Sequence, residues 1–445
     1  MKRMRAIVCG VLAAMMLAGC GSGAGMDLTQ YAVKEAAYPA YPAAPDYDSY
    51  CDRTGTLDWD AYSTALEKYQ REMQLLGKGD RPDDGAVRRF ADRTVGKIFT
   101  GGENTVYSPI SLYVALGMLT ELTDGETKQQ VMDLLGAADA GALRQQIKKL
   151  WVSVYQDGDA VCRLANAAFL RENADVKQSA ADTLAQWYYA SSYRVPMGTE
   201  EADRAIASWL NQQTGGLLSE ETGNIRTDAD NLLRLYNTIY YKAGWWEPFK
   251  SSRTKADTFT ATDGSEQRAD FMHLTETGDV LRGEGYTAAP KSLKCGRMVF
   301  VLPDEGVTPE SLLARDGFLT ELTGEYSMAD VVWSVPKFDV KSSIDLKDIL
   351  KTLGVTDAFD GNMADFTPLT DNGAMVNSVM QAARVKIDEE GVEAAAYTEI
   401  VTNDSAAMIE PPPVVEMNLN RPFLFVIFDG NDVPLFIGTV YSVEG

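Results

Sequence analysis

The 445-residue sequence predicts an α+β fold, with helical patterns filling much of the first half and strands concentrated late. Three observations lead there. The stretch AVRRFADRTVGKIF places Val87, Phe90, Val95 and Ile98 along one helical face before a stop at Gly101 and Gly102. Strand-like runs occupy Val161 to Leu170, Leu235 to Tyr241, Arg297 to Leu302, Val331 to Val340, Val385 to Asp388 and Phe423 to Phe428. No internal repeat divides the chain, and a content of 45% apolar and 24% charged residues suits one large globular domain or two average ones.

The chain begins MKRMRAIVCGVLAAMMLAGC, where Lys2, Arg3 and Arg5 precede an apolar run from Ala6 to Ala18. That run is short for a membrane span and has the form of an export signal over residues 1–19. Its end, Leu17-Ala18-Gly19-Cys20, looks like a bacterial lipobox, which makes Cys20 the expected lipidated N-terminus; an ordinary secretory signal cut among the same small residues is the other reading. Acyl chains on Cys20 would bind a membrane through about 0.8 kcal/mol per buried methylene. The expected location is the bacterial cell surface, with release to the exterior as a variant of it.

Residues 20–84 read as a spacer and stalk outside the main fold: a flexible GSGAG, the Tyr- and Pro-rich YPAYPAAPDYDSY, and one helix from Asp58 to Leu76. The main domain is expected over residues 85–445. The formal charge is −23, and loss of residues 1–19 removes three further basic groups and no acidic ones. Such a surface argues against nucleic acid and heparin-like polyanions as partners.

Beyond Cys9 and Cys20 the chain has Cys51, Cys162 and Cys295, an odd and sparse set that builds no disulfide framework. No Cys/His spacing suggests a metal, so no metal and no cofactor are expected. The single histidine, His273, would have to serve any Ser-His-Asp or Cys-His site, yet no nucleophile elbow, P-loop or complete dinucleotide fingerprint is present. Nothing in the sequence points positively to an enzyme.

The most telling segment is DEEGVEAAAYTEIVT, Asp388 to Thr402. Val392, Ala394, Ala396, Thr398, Ile400 and Thr402 alternate as one face of a buried strand. Yet Glu389, Glu390 and Gly391 before it and Pro411, Pro412 and Pro413 after it frame an exposed connection. A loop with strand patterning can become a strand later.

On these residues the chain closely resembles the serpin family, whose reactive loop starts with a Glu-Glu-Gly-Thr-Glu-Ala-Ala-Ala hinge. Here Glu389, Glu390, Gly391, Val392, Glu393, Ala394, Ala395 and Ala396 match it, with Val392 in place of Thr. The resemblance extends over nearly all of residues 85–445. Asn104-Thr-Val-Tyr-Ser108-Pro109-Ile-Ser111 matches the shutter motif, and Ser108 and Ser111 also suit the cap of a helix beginning near Pro109. Asn237 to Trp245 with Pro248-Phe249 matches the strand leading to the breach, where Trp245 also suits a packing role. Val335-Pro336-Lys337-Phe338, Ala364-Asp365-Phe366, Asn420-Arg421-Pro422-Phe423 and Pro434-Leu435-Phe436-Ile-Gly438 follow in order. Gln381 stands where many members have a shutter histidine, so no charge switch is expected there.

The resemblance implies a serpin fold, helices on a large central mixed sheet with smaller sheets and an exposed reactive loop. It implies a monomeric inhibitor that acts as a suicide substrate: a serine protease cleaves the loop, and the loop inserts before the covalent acyl-enzyme is hydrolysed. Counting from Gly391 puts the cleaved bond at Ser405-Ala406, the preferred reading; counting back from Asn420 favours Met408-Ile409. No Lys or Arg lies between Lys386 and Arg421, which disfavours trypsin-like targets and favours elastase-like or subtilisin-like ones. A non-inhibitory surface binding protein and a cross-class inhibitor of papain-like cysteine proteases are the alternatives.

Overall fold

The long helices are α1 (Trp59–Leu75), α2 (Asp84–Ile98), α3 (Pro109–Leu122), α4 (Gly125–Leu135), α5 (Ala140–Val154), α6 (Gln178–Tyr188) and α7 (Glu200–Gln213), and four of them start at a capping side chain. The structure is a computed structural model and describes residues 26–36, 38, 42–53, 55–76, 84–158, 160–392 and 412–443. Asp58, Ser108, Asp139 and Thr199 each accept a backbone N–H at the start of α1, α3, α5 and α7. The α3 sequence is apolar almost all round and is accordingly buried on nearly every face, making it the central helix of the core. In α1 no side chain is buried, and the helix matches the one expected in the stalk.

Among the described residues the strands form two sheets. They are β1 (Ala32–Lys34), β2 (Thr105–Tyr107), β3 (Gln156–Asp157), β4 (Val161–Arg171), β5 (Ala190–Val195), β6 (Leu233–Gly244), β7 (Lys255–Thr260), β8 (Glu266–Gly283), β9 (Tyr286–Ser292), β10 (Arg297–Pro303), β11 (Ser327–Pro336), β12 (Phe338–Asp345), β13 (Met380–Ile387), β14 (Gly391–Val392), β15 (Val414–Asn418), β16 (Phe423–Phe428) and β17 (Pro434–Val440). The larger sheet runs β15-β11-β8-β9-β10-β16-β17-β2, with β7 on β8. The other runs β1-β5-β4-β6-β14-β13-β12, with β3 on β4. One face of this second sheet covers the main core; on the other, α7 lays Ile206, Trp209 and Leu210 over Ala167, Phe169 and Tyr193.

The expected run Val331 to Val340 is two strands. Pro336 ends β11 in one sheet, the Lys337 N–H turns aside to the Asp270 carbonyl, and β12 continues in the other sheet. Residues 26–36 also differ from the expected spacer. Ala32–Lys34 adds an antiparallel edge strand to β5, and Leu28 and Tyr31 are buried beneath α7. Cys51, Cys162 and Cys295 form no disulfide with one another, and His273 lies half-buried on β8 opposite Ser334. Residues 1–25, with the expected export signal and Cys20, lie outside the described residues.

A buried polar tie joins three helices under the second sheet. The Glu121 carboxylate of α3 accepts Arg144 Nε and Nη2 from α5 at 2.7 and 2.5 Å and the Tyr188 hydroxyl from α6 at 2.8 Å. Arg144→Met strands that carboxylate without its cation and should lower stability by about 3 kcal/mol. The midpoint of urea unfolding checks this: it should fall, and an unchanged midpoint would contradict the assignment.

Candidate functional site

In the centre of the second sheet, among the described residues, β6 and β13 are joined through the two residues of β14. Val392 lies opposite Ala243 of β6 and Ile387 of β13, and Gly391 lies opposite Gly244. Among the described residues, no strand pairs with the facing edges of β6 and β13 below that point. Two cavities occupy the gap. The first, about 120 Å³, is lined by Leu112 and Leu116 of α3, Leu233 and Leu235 of β6, and Val379. The second, about 10 Å³, lies between Ile239 and Ala383. They meet at Ser111, Asn237 and Gln381. The gap is a slot one strand wide.

The residues expected at the breach lie at the filled end of the slot. Asp388 Oδ1 accepts the N–H groups of Glu390 and Gly391 at 2.9 and 3.3 Å, closing a tight turn into β14. A Cβ on Gly391 would sit 2.3 Å from the Ala243 carbonyl oxygen, so only glycine permits this approach. Trp245 is 1% exposed; its Nε1 donates to the Asp388 carbonyl at 2.9 Å and its N–H to the Glu390 carbonyl at 2.8 Å. The Phe249 N–H donates to the Glu389 carbonyl at 3.0 Å.

The Glu389 side chain accepts the Thr254 hydroxyl at 2.7 Å and pairs with the Lys337 ammonium at 3.3 Å. Burial alone would raise its pKa, but the Thr254 hydroxyl, its own backbone N–H and Lys337 outweigh that and hold the carboxyl below its ordinary value. Beside it the buried Lys291 ammonium lies 4.8 Å from the Phe249 ring centre and 3.0 Å from Glu276, which also accepts Trp333 Nε1 at 2.9 Å. Burial pushes Lys291 down, and Glu276 partly restores it.

The expected shutter residues also meet. Ser108 N–H donates to Gln381 Oε1 and Gln381 Nε2 donates to the Ser108 carbonyl, both at 2.9 Å. The Ser108 hydroxyl donates to the Ser111 hydroxyl at 3.0 Å while capping α3. Gln381 thus clips β13 to the start of α3 without any titratable group. Nearby Asn237 donates to Asn166 Oδ1 at 2.5 Å, and its own Oδ1 is buried with no partner. The chain leaving α7 roofs the slot: Gly215 packs near Tyr240 of β6, while the Leu217 carbonyl accepts Arg384 Nη1 of β13 at 3.1 Å.

The structure therefore gathers Trp245 with Glu389, Glu390, Gly391 and Val392 at one end of the slot and Ser108, Ser111 and Gln381 along its floor. Glu393, Ala394, Ala395 and Ala396, and both candidate bonds, Ser405-Ala406 and Met408-Ile409, lie outside the described residues. Sequence reading missed Lys291, Glu276 and Thr254, which sit in unremarkable charged stretches. Lys337 stood in a quoted motif, but its pairing with Glu389 required the fold.

Residues 86–443 match the family model described as serpin (serine protease inhibitor). The chain belongs to the serpin family. Serpin-Z1A of Triticum aestivum is 30% identical over 379 residues, covering 80% of this chain and 94% of that protein. Serpin B6 of Macaca fascicularis is 27% identical over 354 residues, covering 75% and 91%. Among solved structures, the native state of the thermophilic serpin tengpin has a TM-score of 0.73 at 25% identity, covering 82% of this chain and 95% of that one. The complex of thyroxine-binding globulin with thyroxine, at 23% identity and a TM-score of 0.70 over 81% and 99%, shares the fold. Serpins are in general protease inhibitors and not catalysts, and this chain carries their fold.

The depressed Glu389 carboxyl predicts a pH effect at the breach. Its stabilising contribution is fully present above the ordinary carboxylate range and is lost as pH falls through the depressed folded value. Glu389→Gln should therefore lower the thermal midpoint at neutral pH, with the gap to the parent protein closing in strong acid. Parallel midpoint curves across that range would contradict the assignment.

Proposed function

We propose that this serpin inhibits serine proteases as a suicide substrate, through insertion of its cleaved reactive loop into the slot between β6 and β13. The observation that carries this reading is Val392, already paired between Ala243 and Ile387 as the first inserted residue. Continued antiparallel pairing would bring position 394 between Tyr241 and Val385, 396 between Ile239 and Ala383, 398 between Asn237 and Gln381, and 400 beside Leu235. The sequence supplies Ala394, Ala396, Thr398 and Ile400 at these places, none of them charged. Thr398 would bring a hydroxyl to Asn237 Oδ1, the buried acceptor that has no partner.

In the proposed reaction the protease serine oxygen attacks the carbonyl of the scissile bond, forming an ester to the loop as the C–N bond breaks and the new amine leaves with a proton. Insertion then competes with hydrolysis of that ester. Filling the slot adds ladder hydrogen bonds, each about 0.5–1.5 kcal/mol net, on both sides of the new strand. The preferred bond is Ser405-Ala406 and the alternative Met408-Ile409; small or apolar residues there and the lack of Lys or Arg favour elastase-like enzymes, then subtilisin-like ones. Export, lipid attachment at Cys20 and a bacterial surface location belong to the same proposal.

Mixing the protein with elastase and running a denaturing gel tests the reading. A complex that survives boiling supports it, and the mass of the released C-terminal peptide identifies the cleaved bond. Cleavage with no complex for elastase-like, subtilisin-like and papain-like proteases alike would contradict it and favour a non-inhibitory binding protein. Ala394→Arg or Ala396→Asp places a charge in the filled slot, at a cost of several kcal/mol. Each variant should be cleaved as a plain substrate without complex; persistent complexes would rule out insertion as the mechanism.

A further inference from the structure

Residues 26–36 and Tyr38 run beneath α7, whose exit chain covers the slot, and then along the edge of the sheet that contains it. The Met26 N–H donates to Ser208 Oγ of α7 at 2.9 Å, and Gln212 of α7 donates to the Met26 carbonyl at 3.3 Å. A single 3-10 turn at Thr29–Tyr31 reverses the path, and the Tyr31 hydroxyl donates to Glu201 at the start of α7 at 2.6 Å. Leu28 and Tyr31 fill the layer between α7 and the sheet, alongside Phe169, Tyr193 and Trp209. β1 then pairs with β5, the Ala36 N–H donates to Ser191 Oγ at 3.1 Å, and Lys34 pairs with Asp182 of α6 at 3.0 Å. Tyr38 finishes the run stacked on Trp151 of α5 at 5.6 Å between ring centres.

We infer that residues 26–36 and Tyr38 form an intramolecular strap that holds α7 on the sheet and thereby restrains opening of the slot. The helix is fixed at both ends of its length by this segment, at Glu201 and at Ser208 and Gln212. Its exit chain is the roof of the slot, because Thr214, Leu217 and Leu218 line the gap and Leu217 is tied across to Arg384. A strand filling the slot has to displace that exit chain, and a helix held at both ends resists the displacement. The strap therefore sets the rate at which the roof lifts; its consequence for inhibition rests on the insertion reading above, whereas its effect on the roof does not.

The test uses the full chain with Tyr31→Phe, which removes only the donor to Glu201, and Leu28→Asp, which unseats the packed turn. Native-state amide exchange is followed in Thr214–Leu218 and in Leu233–Lys242, with β16 and β17 as internal controls. Faster exchange in Thr214–Leu218, by about tenfold for loss of one charge-assisted hydrogen bond, with the controls unchanged, is the expected result. Exchange that quickens only within residues 26–36 would overturn the strap. If Leu28→Asp does not fold, Tyr31→Phe alone decides between these outcomes. Complex formation with elastase is measured separately, so a roof that loosens in a protein forming no complex upholds the strap and removes the insertion reading.

Discussion

The structure depends on a gap in the middle of a sheet. Backbone N–H and C=O groups along β6 and β13 face each other across a space one strand wide, and among the described residues Gly391 and Val392 bridge it. An open edge is ordinarily blunted by charge, proline or a covering element, because it invites another strand. Here the edges lie inside the fold, flanked by the apolar side chains of Leu233, Leu235 and Ile239, which stay half-buried while the gap is open. The molecule thus has an unfilled gap in its sheet among the described residues, with a strand-patterned segment of sequence following its upper end.

Several weak restraints act together on that gap. At the upper end, the Asp388 turn, the Trp245 hydrogen bonds and the Glu389–Lys337 pair fix the position of Gly391 and Val392. On the floor, Gln381 clips β13 to α3 through two hydrogen bonds with the Ser108 backbone. Above, the chain after α7 crosses from one lip to the other. Each neutral hydrogen bond is worth about 1 kcal/mol net, so none of them alone locks the sheet. A set of small restraints that must be broken together gives a kinetic barrier, and a strand pairing on both sides supplies the larger return.

The alternation from Val392 to Thr402 was legible because a two-residue period is a one-dimensional signal, and its first residue is found on the buried face as that period requires. Ser108 was legible twice over, as a helix cap and as part of a motif, and it serves as the cap while meeting Gln381. Other features needed three dimensions. Residues 26–36 read as spacer because Leu28 and Tyr31 are isolated apolar residues in a polar stretch, and their burial depends on a groove made by α7 and β5, far along the chain. The long β8 was missed because it carries few consecutive apolar residues and a half-exposed face. Lys291 looked like a surface cation, and only the fold places it between aromatic rings and Glu276.

The claim that the slot receives the chain's own loop is tested most directly by cleaving the loop and measuring amide exchange along Leu233–Lys242 and Met380–Lys386, together with the thermal midpoint. Insertion predicts strong new protection on both edges and a large rise in the midpoint. Edges that exchange as before, with an unchanged midpoint, would contradict the account.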